Sequence, residues 1–168
     1  VRMTDRDAEF VGFTHDHRPD LVRMATLLTA GDASSAEDLV QTTLTRLYLA
    51  WPRVRRADNR LGYARATLTH VFVDETRRAH RRWERTAEGL PDRPAATGLA
   101  PEDRDAVHAA LRDLAPRQRA VVVLRHWLDL DVAETARVLD CSTGTVKSQT
   151  AKALAHLRAA LTPDPTTL

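Results

Sequence analysis

Asp131-Val132-Ala133-Glu134-Thr135-Ala136-Arg137-Val138-Leu139-Asp140-Cys141-Ser142-Thr143-Gly144-Thr145-Val146-Lys147-Ser148 is the stretch whose reading decides the fold. Asp131 is a good helix N-cap, and Glu134, three residues on, completes a capping-box pair. A short helix is predicted over Val132 to Leu139. The turn is Asp140-Cys141-Ser142, where aspartate tolerates a left-handed backbone. Ser142 then caps a second helix beginning at Thr143. Small Ala136 lets the two helices approach, and Val146 fills the space between them. On the second helix Val146, Ala153, Leu154 and Leu157 form an inward stripe. Lys147, Ser148, Ala151 and Lys152, at i, i+1, i+4 and i+5, face outward. A small, polar, cationic face suits a helix lying in a DNA major groove. The chain has only two lysines, and both are on this face. An ordinary helical hairpin would not need so many of these features together. Cys141 reads as a small apolar group of the turn and not as a reactive thiol.

Working outward, Pro116 suits the first position of a helix that carries Val121, Val122, Leu124 and Trp127. Helical pattern begins before it, near Glu102, with Val107, Leu111 and Leu114 on one face. Between Thr86 and Pro101 the composition changes: Gly89, Pro91, Pro94, Gly98 and Pro101 interrupt any periodicity, the mark of a linker. The first half reads as three helices. Phe10, Phe13, His17, Leu21, Met24, Leu27 and Leu28 recur at helical spacing, and Gly31-Asp32 ends that segment. Ser34 and Ser35 are expected to cap the next helix, with Glu37 or Asp38 three residues on. Its apolar stripe is Leu39, Val40, Leu44, Leu47, Tyr48 and Trp51, and Pro52 is expected to close it. A third helix is predicted from about Leu61 to Arg85. No strand alternation and no internal repeat occurs. The expectation is an all-α protein of two small helical domains, 1–86 and 103–162, joined by a flexible linker, 87–102, and followed by a tail, 163–168.

The third helix carries a second nucleic-acid signal. Arg77, Arg78, Arg81, Arg82 and Arg85 form one positive stripe, interrupted only by Glu84. Such a stripe neutralises several phosphates and gives salt-sensitive, sequence-independent binding. Upstream lie Tyr63, Arg65, Thr69, His70 and Phe72. A planar side chain beside a cationic stripe can hold an unstacked base.

Bulk properties narrow the function classes. The chain has 168 residues, 43% of them hydrophobic and 5% aromatic, with a formal net charge of +2. That is mildly basic, compatible with nucleic acid. A single cysteine rules out an intrachain disulfide and fits a reducing compartment. No apolar run approaches the roughly 20 residues that cross a bilayer, and Val1 to Phe10 is charged, so no membrane insertion and a cytoplasmic location are expected. The seven histidines form no H-E-x-x-H pair and no zinc spacing with cysteine. There is no phosphate-cradling glycine loop and no nucleophile elbow. The expectation is a protein that is not an enzyme, with no metal and no cofactor.

Together the two halves resemble one family. Ala36-Glu37-Asp38-Leu39-Val40-Gln41 resembles the core-binding helix of sigma region 2.2. Tyr63 through Arg82, with Asp74 and Arg77-Arg78, resembles regions 2.3 and 2.4. Leu114-Ala115-Pro116-Arg117-Gln118-Arg119 with Val121-Val122-Val123-Leu124-Arg125 resembles the start of region 4. Gly144-Thr145-Val146-Lys147-Ser148 is similar to the region 4.2 signature of the recognition helix. The resemblance spans about residues 10 to 160. The segment between the halves is too short for a region 3 domain, which points to the extracytoplasmic-function group of sigma-70 factors. The arginine-rich, lysine-poor composition is similar to that of actinobacterial members.

This resemblance implies a sigma factor that binds core RNA polymerase and directs promoter-specific initiation. Glu37, Asp38 and Gln41 would meet the beta-prime clamp helices, and the second domain the beta flap. Tyr63, Arg65, His70, Arg77, Arg78, Arg81 and Arg82 would engage the −10 element. Thr145, Lys147, Ser148, Ala151 and Lys152 would meet the −35 element. Promoter DNA and polymerase are the implied partners, and the family leaves room for an anti-sigma factor. Thr42, Tyr63, His70 and Gln149 depart from the family's common residues, and Gln149 removes one expected phosphate contact. The competing reading is a stand-alone helix-turn-helix regulator that binds duplex DNA without polymerase.

Overall fold

The computed structural model describes residues 4–85 and 102–162, all helices and short turns. Residues 86–101, with all of the expected linker but Glu102, which opens a helix, and the expected tail, 163–168, lie outside the described residues. In chain order the helices are α1 (Asp5–Leu28), α2 (Ala33–Leu49), α3 (Trp51–Val54), α4 (Arg60–Arg85), α5 (Glu102–Asp113), α6 (Pro116–Val122), α7 (Val132–Leu139) and α8 (Thr143–Leu161). A π-helical turn, Val123–Trp127, continues α6.

Three local expectations are corrected. The cap of α2 is Asp32, not Ser34 or Ser35: its Oδ1 accepts from both serine amides at 3.1 Å. The chain leaves α1 through two left-handed residues, Ala30 (φ 53°) and Gly31 (φ 87°), which brings Asp32 into the extended conformation a cap requires. Pro52 does not close α2. It lies in the first turn of α3, where its missing N–H leaves no intrahelical bond unmade. Val107 was expected inward with Leu111 and Leu114, but it is 41% exposed while they are buried. The helix at Pro116 also widens: Leu128 N donates to Val123 O at 3.1 Å, an i−5 bond.

The core of the first half is built on Trp51, fully buried, with Phe10 and Phe13 at ring-centroid distances of 5.2 and 5.3 Å. Leu21, Met24, Leu28, Leu39, Leu47, Leu68 and Val71 surround it. Both helical units of the expectation are present, and they touch. Ala120, Val121, Val123, Leu124, Ala136, Leu139 and Val146 of the second half belong to the same apolar cluster as the first. A smaller cluster joins Ala30 of the first half to Leu111, Leu114 and Ala153. Helix α4 packs on α6 and α7, and α1 on α5, α6 and the π turn.

Candidate nucleic-acid interface

The helix-turn-helix forms as its residues dictate. Asp131 Oδ1 accepts from Glu134 N (2.7 Å), and Glu134 Oε2 accepts from Asp131 N (2.8 Å). Asp140 terminates α7 in the left-handed region at φ 49°. Ser142 Oγ accepts from Thr145 N (3.0 Å) and starts α8. Ala136 is buried at the crossing and Val146 is completely enclosed. Burying Val146 and Ala153 turns Lys147, Ser148, Ala151 and Lys152 to solvent, because residues one and five positions on lie across the helix. Thr145 is half-buried at the cap. The outward face carries no acidic side chain, so its field is purely cationic.

Helix α4 has two sides. Ala64, Leu68, Thr69, Val71 and Phe72 are buried. Thr69 and Phe72, expected beside an unstacked base, therefore belong to the core. Tyr63, His70, Arg77 and Arg81 recur at whole helical turns along the other side. Tyr63 is half-buried against the core, and His70, Arg77, Arg78, Arg81 and Arg82 are exposed. Arg65 does not stand free: it donates from Nε to Asp20 at 2.9 Å and ties α4 to α1. His70 donates from Nε2 to the carbonyl of Val138 on α7 at 2.6 Å. The cleft between α4 and α7 has a volume of about 560 Å³, and Val73, Arg77, Arg137 and Val138 are among the residues that line it.

On α2, Ala36, Leu39, Val40, Thr43 and Leu44 are buried, which leaves Glu37, Asp38 and Gln41 on the opposite side. Glu37 is held by two neighbours: Arg18 donates to it at 2.5 Å and Gln41 at 3.0 Å. The Gln41 bond, followed by the Arg18 bond, holds the Glu37 carboxyl below its usual pKa. Asp38 is exposed beside this group, so α2 presents an ordered, acidic patch.

Sequence reasoning missed Arg18, which orders that patch, and Arg119. The Arg119 side chain is buried and donates only to backbone carbonyls among its described bonds: Leu111 (2.7 Å), Arg112 and Leu114 (3.2 Å each), and Leu28 of the first half (2.8 Å). The apolar run Ala120-Val121-Val122 directly after Arg119 was the available signal. No group of three or more His, Cys, Asp or Glu side chains converges among the described residues. No described helix is long and apolar enough to cross a membrane.

Comparison with known proteins matches the two halves separately. Residues 13–82 match the family Sigma-70 region 2, and residues 104–157 match Sigma-70, region 4. The RNA polymerase sigma-E factor of Streptomyces coelicolor is 40% identical over 89% of this chain and 84% of its own length. The ECF RNA polymerase sigma factor SigC of Mycobacterium tuberculosis is 32% identical over 81% of this chain and 75% of its own. The sigma factor RpoE of Bartonella quintana, solved with the anti-sigma factor NepR, shares the fold. Its TM-score is 0.69 at 24% identity, over 91% of this chain and 96% of that one.

Proposed function

The chain belongs to the sigma-70 family, in its extracytoplasmic-function group, and acts as a sigma factor in transcription initiation; from that premise we propose how its residues divide the work. Residues 1–86 form the region 2 domain and 103–162 the region 4 domain, with 87–102 as tether and 163–168 as tail. Glu37, Asp38 and Gln41 grip the beta-prime clamp helices of core RNA polymerase. The second domain docks on the beta flap and lays α8 on the −35 duplex through Thr145, Lys147, Ser148, Ala151 and Lys152. Tyr63 and His70 receive unpaired −10 bases, with Arg65, oriented by Asp20, beside them. Arg77, Arg78, Arg81 and Arg82 hold the phosphates, so that binding energy offsets the cost of opening base pairs. Polymerase supplies the chemistry, this chain being a non-catalytic, cytoplasmic subunit without metal or cofactor. An anti-sigma factor is a further partner in keeping with the family.

The observation that supports this division most directly is the sidedness of α2 and α8. Each buries one stripe of its residues and turns another side to solvent: α2 the Glu37, Asp38 and Gln41 group, with Arg18 of α1 bound to Glu37, and α8 a face whose charges are all cationic. A stand-alone regulator is not favoured, because a free helix-turn-helix protein has no need of the region 2 half. The test is co-elution of the full chain with core RNA polymerase, beside the variant Asp38→Ala plus Gln41→Ala. Both side chains lie outside the core, so the variant keeps its fold. The wild type should co-elute and the variant should not. A wild type that fails to bind, with no inhibitor present, would return the stand-alone regulator.

A further inference from the structure

We infer that α8 carries a modification site: Lys147 and Lys152 are the side chains at which an acyl donor of the acyl-phosphate class removes the positive charge of the −35 face and leaves the other working faces of the chain untouched. That the face meets DNA rests on the sigma reading; that its two amines take an acyl group does not.

Composition makes the site selective. Of the 25 Lys and Arg side chains 23 are arginine, and the two lysines are Lys147 and Lys152. Charge alone does not call for lysine there, since a guanidinium holds a phosphate through two parallel bonds and an ammonium acts as a point charge. Lysine offers what arginine does not, a primary amine that loses its proton and becomes a nucleophile. The guanidinium stays protonated, so Arg77, Arg78, Arg81 and Arg82 on α4 are inert to the same donor. On α2, Glu37, Asp38 and Gln41 have no basic nitrogen to acylate.

The fold makes both amines accessible. Val146 and Ala153 are buried, and the two lysines are exposed on the outward side of α8. Five residues set them about 7.5 Å apart along the axis and about 140° apart around it. They mark the two edges of the outward face, with Ser148 and Ala151 exposed between them. Among the described residues neither lysine has an ion pair or side-chain hydrogen bond to give up. Helix α8 contains no Asp or Glu. An acyl phosphate carries its own negative charge and is drawn to such a face, which an uncharged donor is not.

The step is complete with that donor. The ammonium gives one proton to water, and the neutral Nζ attacks the acyl carbonyl carbon. A C–N bond forms and the C–O bond to phosphate breaks. The second amine proton leaves with the phosphate as hydrogen phosphate, and nothing is oxidised or reduced. Each acylation removes one charge. Two of them take the outward face from two positive charges to none, and the formal net charge of the chain from +2 to zero.

The test treats the full chain with acetyl phosphate, removes the reagent and then adds core polymerase. Lys147→Arg plus Lys152→Arg is carried alongside, each protein being compared with its own untreated sample. Peptide mass mapping should find acetyl groups at both lysines of the wild type. Co-elution of the wild type with polymerase should be the same before and after treatment. On a promoter fragment that the untreated complex binds, the slope of log K against log salt should fall by about 0.9 per lysine, or about 1.8. From about 50 to about 200 mM salt that is about twelvefold less loss of affinity. The variant's slope, whatever its starting value, should not move on treatment. Lysines that stay unmodified overturn the site, and an unchanged slope with both lysines acetylated overturns its effect on DNA. A slope that falls equally in the variant, or a wild type that loses polymerase, puts the reaction elsewhere and overturns the selectivity. Rates taken against Nα-acetyllysine in the same solution should favour the chain with acetyl phosphate more than with uncharged ethyl thioacetate. Equal ratios overturn the part given to the phosphate. Failure of the sigma reading shows instead in the untreated chain, as absent co-elution, and leaves the mass map standing.

Discussion

Replacing Arg78 and Arg81 by alanine tests whether the α4 stripe holds phosphates. Both side chains are exposed, whereas Arg82 takes part in a contact of its own within the chain, which makes this pair the cleaner choice. Both positions lie past Phe72, the last buried residue of α4 among those described, so stability should move by no more than about 0.5 kcal/mol. If each arginine neutralises one phosphate of a melted strand, the slope of log K against log salt falls by about 0.7 per residue, or about 1.4 for the pair. Over a fourfold range of salt, from about 50 to about 200 mM, that is about sevenfold less loss of affinity than the wild type suffers. The assay is binding of polymerase carrying this chain to a promoter fragment with an unpaired −10 segment, titrated with salt. Polymerase's own contacts cancel in the difference between the two proteins. An unchanged slope would refute the assignment of the stripe, even with weaker binding, because loss of affinity without loss of counterion release does not come from phosphate contacts.

Two further outcomes follow from local geometry. Val146→Ala removes two buried methyl groups from the crossing of α7 and α8, and should cost about 2–3 kcal/mol of stability. Thermal unfolding reads this directly, and a loss under about 0.5 kcal/mol would mean that Val146 does not hold the two helices together. Asp32→Asn keeps a good cap but removes a titrating group. The Ser35 side-chain bond, then its backbone bond, lowers the Asp32 pKa from the ordinary value of 3.8. Its stabilising contribution is therefore complete above that value and is lost as pH falls through the lower folded value. In acid titrations the two proteins should run together above about pH 5 and separate below about pH 4, with the wild type falling more steeply. Coincident acid limbs would place the cap elsewhere.

Local rules were legible wherever one residue's own backbone preference decides the outcome. Asp131 and Glu134, Asp140, and Ser142 all took the positions their side-chain chemistry predicts, because a cap or a left-handed turn is settled within four residues. The misses came where a neighbour outside that window intervened. Asp32 outranked Ser34 and Ser35 as cap because Ala30 and Gly31 had already turned the chain. Val107 shares helical spacing with Leu111, but among the described residues it stays exposed. Phe72 looked like a base-stacking residue because it sits near arginines in sequence, yet a helix places it on the side away from Arg77 and Arg81.

The family and the Glu37, Asp38 and Gln41 group were legible through the resemblance of their motifs; by itself the sequence determined most of the helices, the helix-turn-helix and the cationic face of α8. These depend on periodicity and short-range capping, which a single chain displays openly. Only the tertiary structure decided what Arg65, His70 and Arg119 do. Asp20, the Val138 carbonyl and the Leu28 carbonyl are far from them in sequence, and a backbone carbonyl is the same at every residue. No pattern of side chains announces such an acceptor, so the closure of one half of the molecule on the other became visible only when the chain was folded.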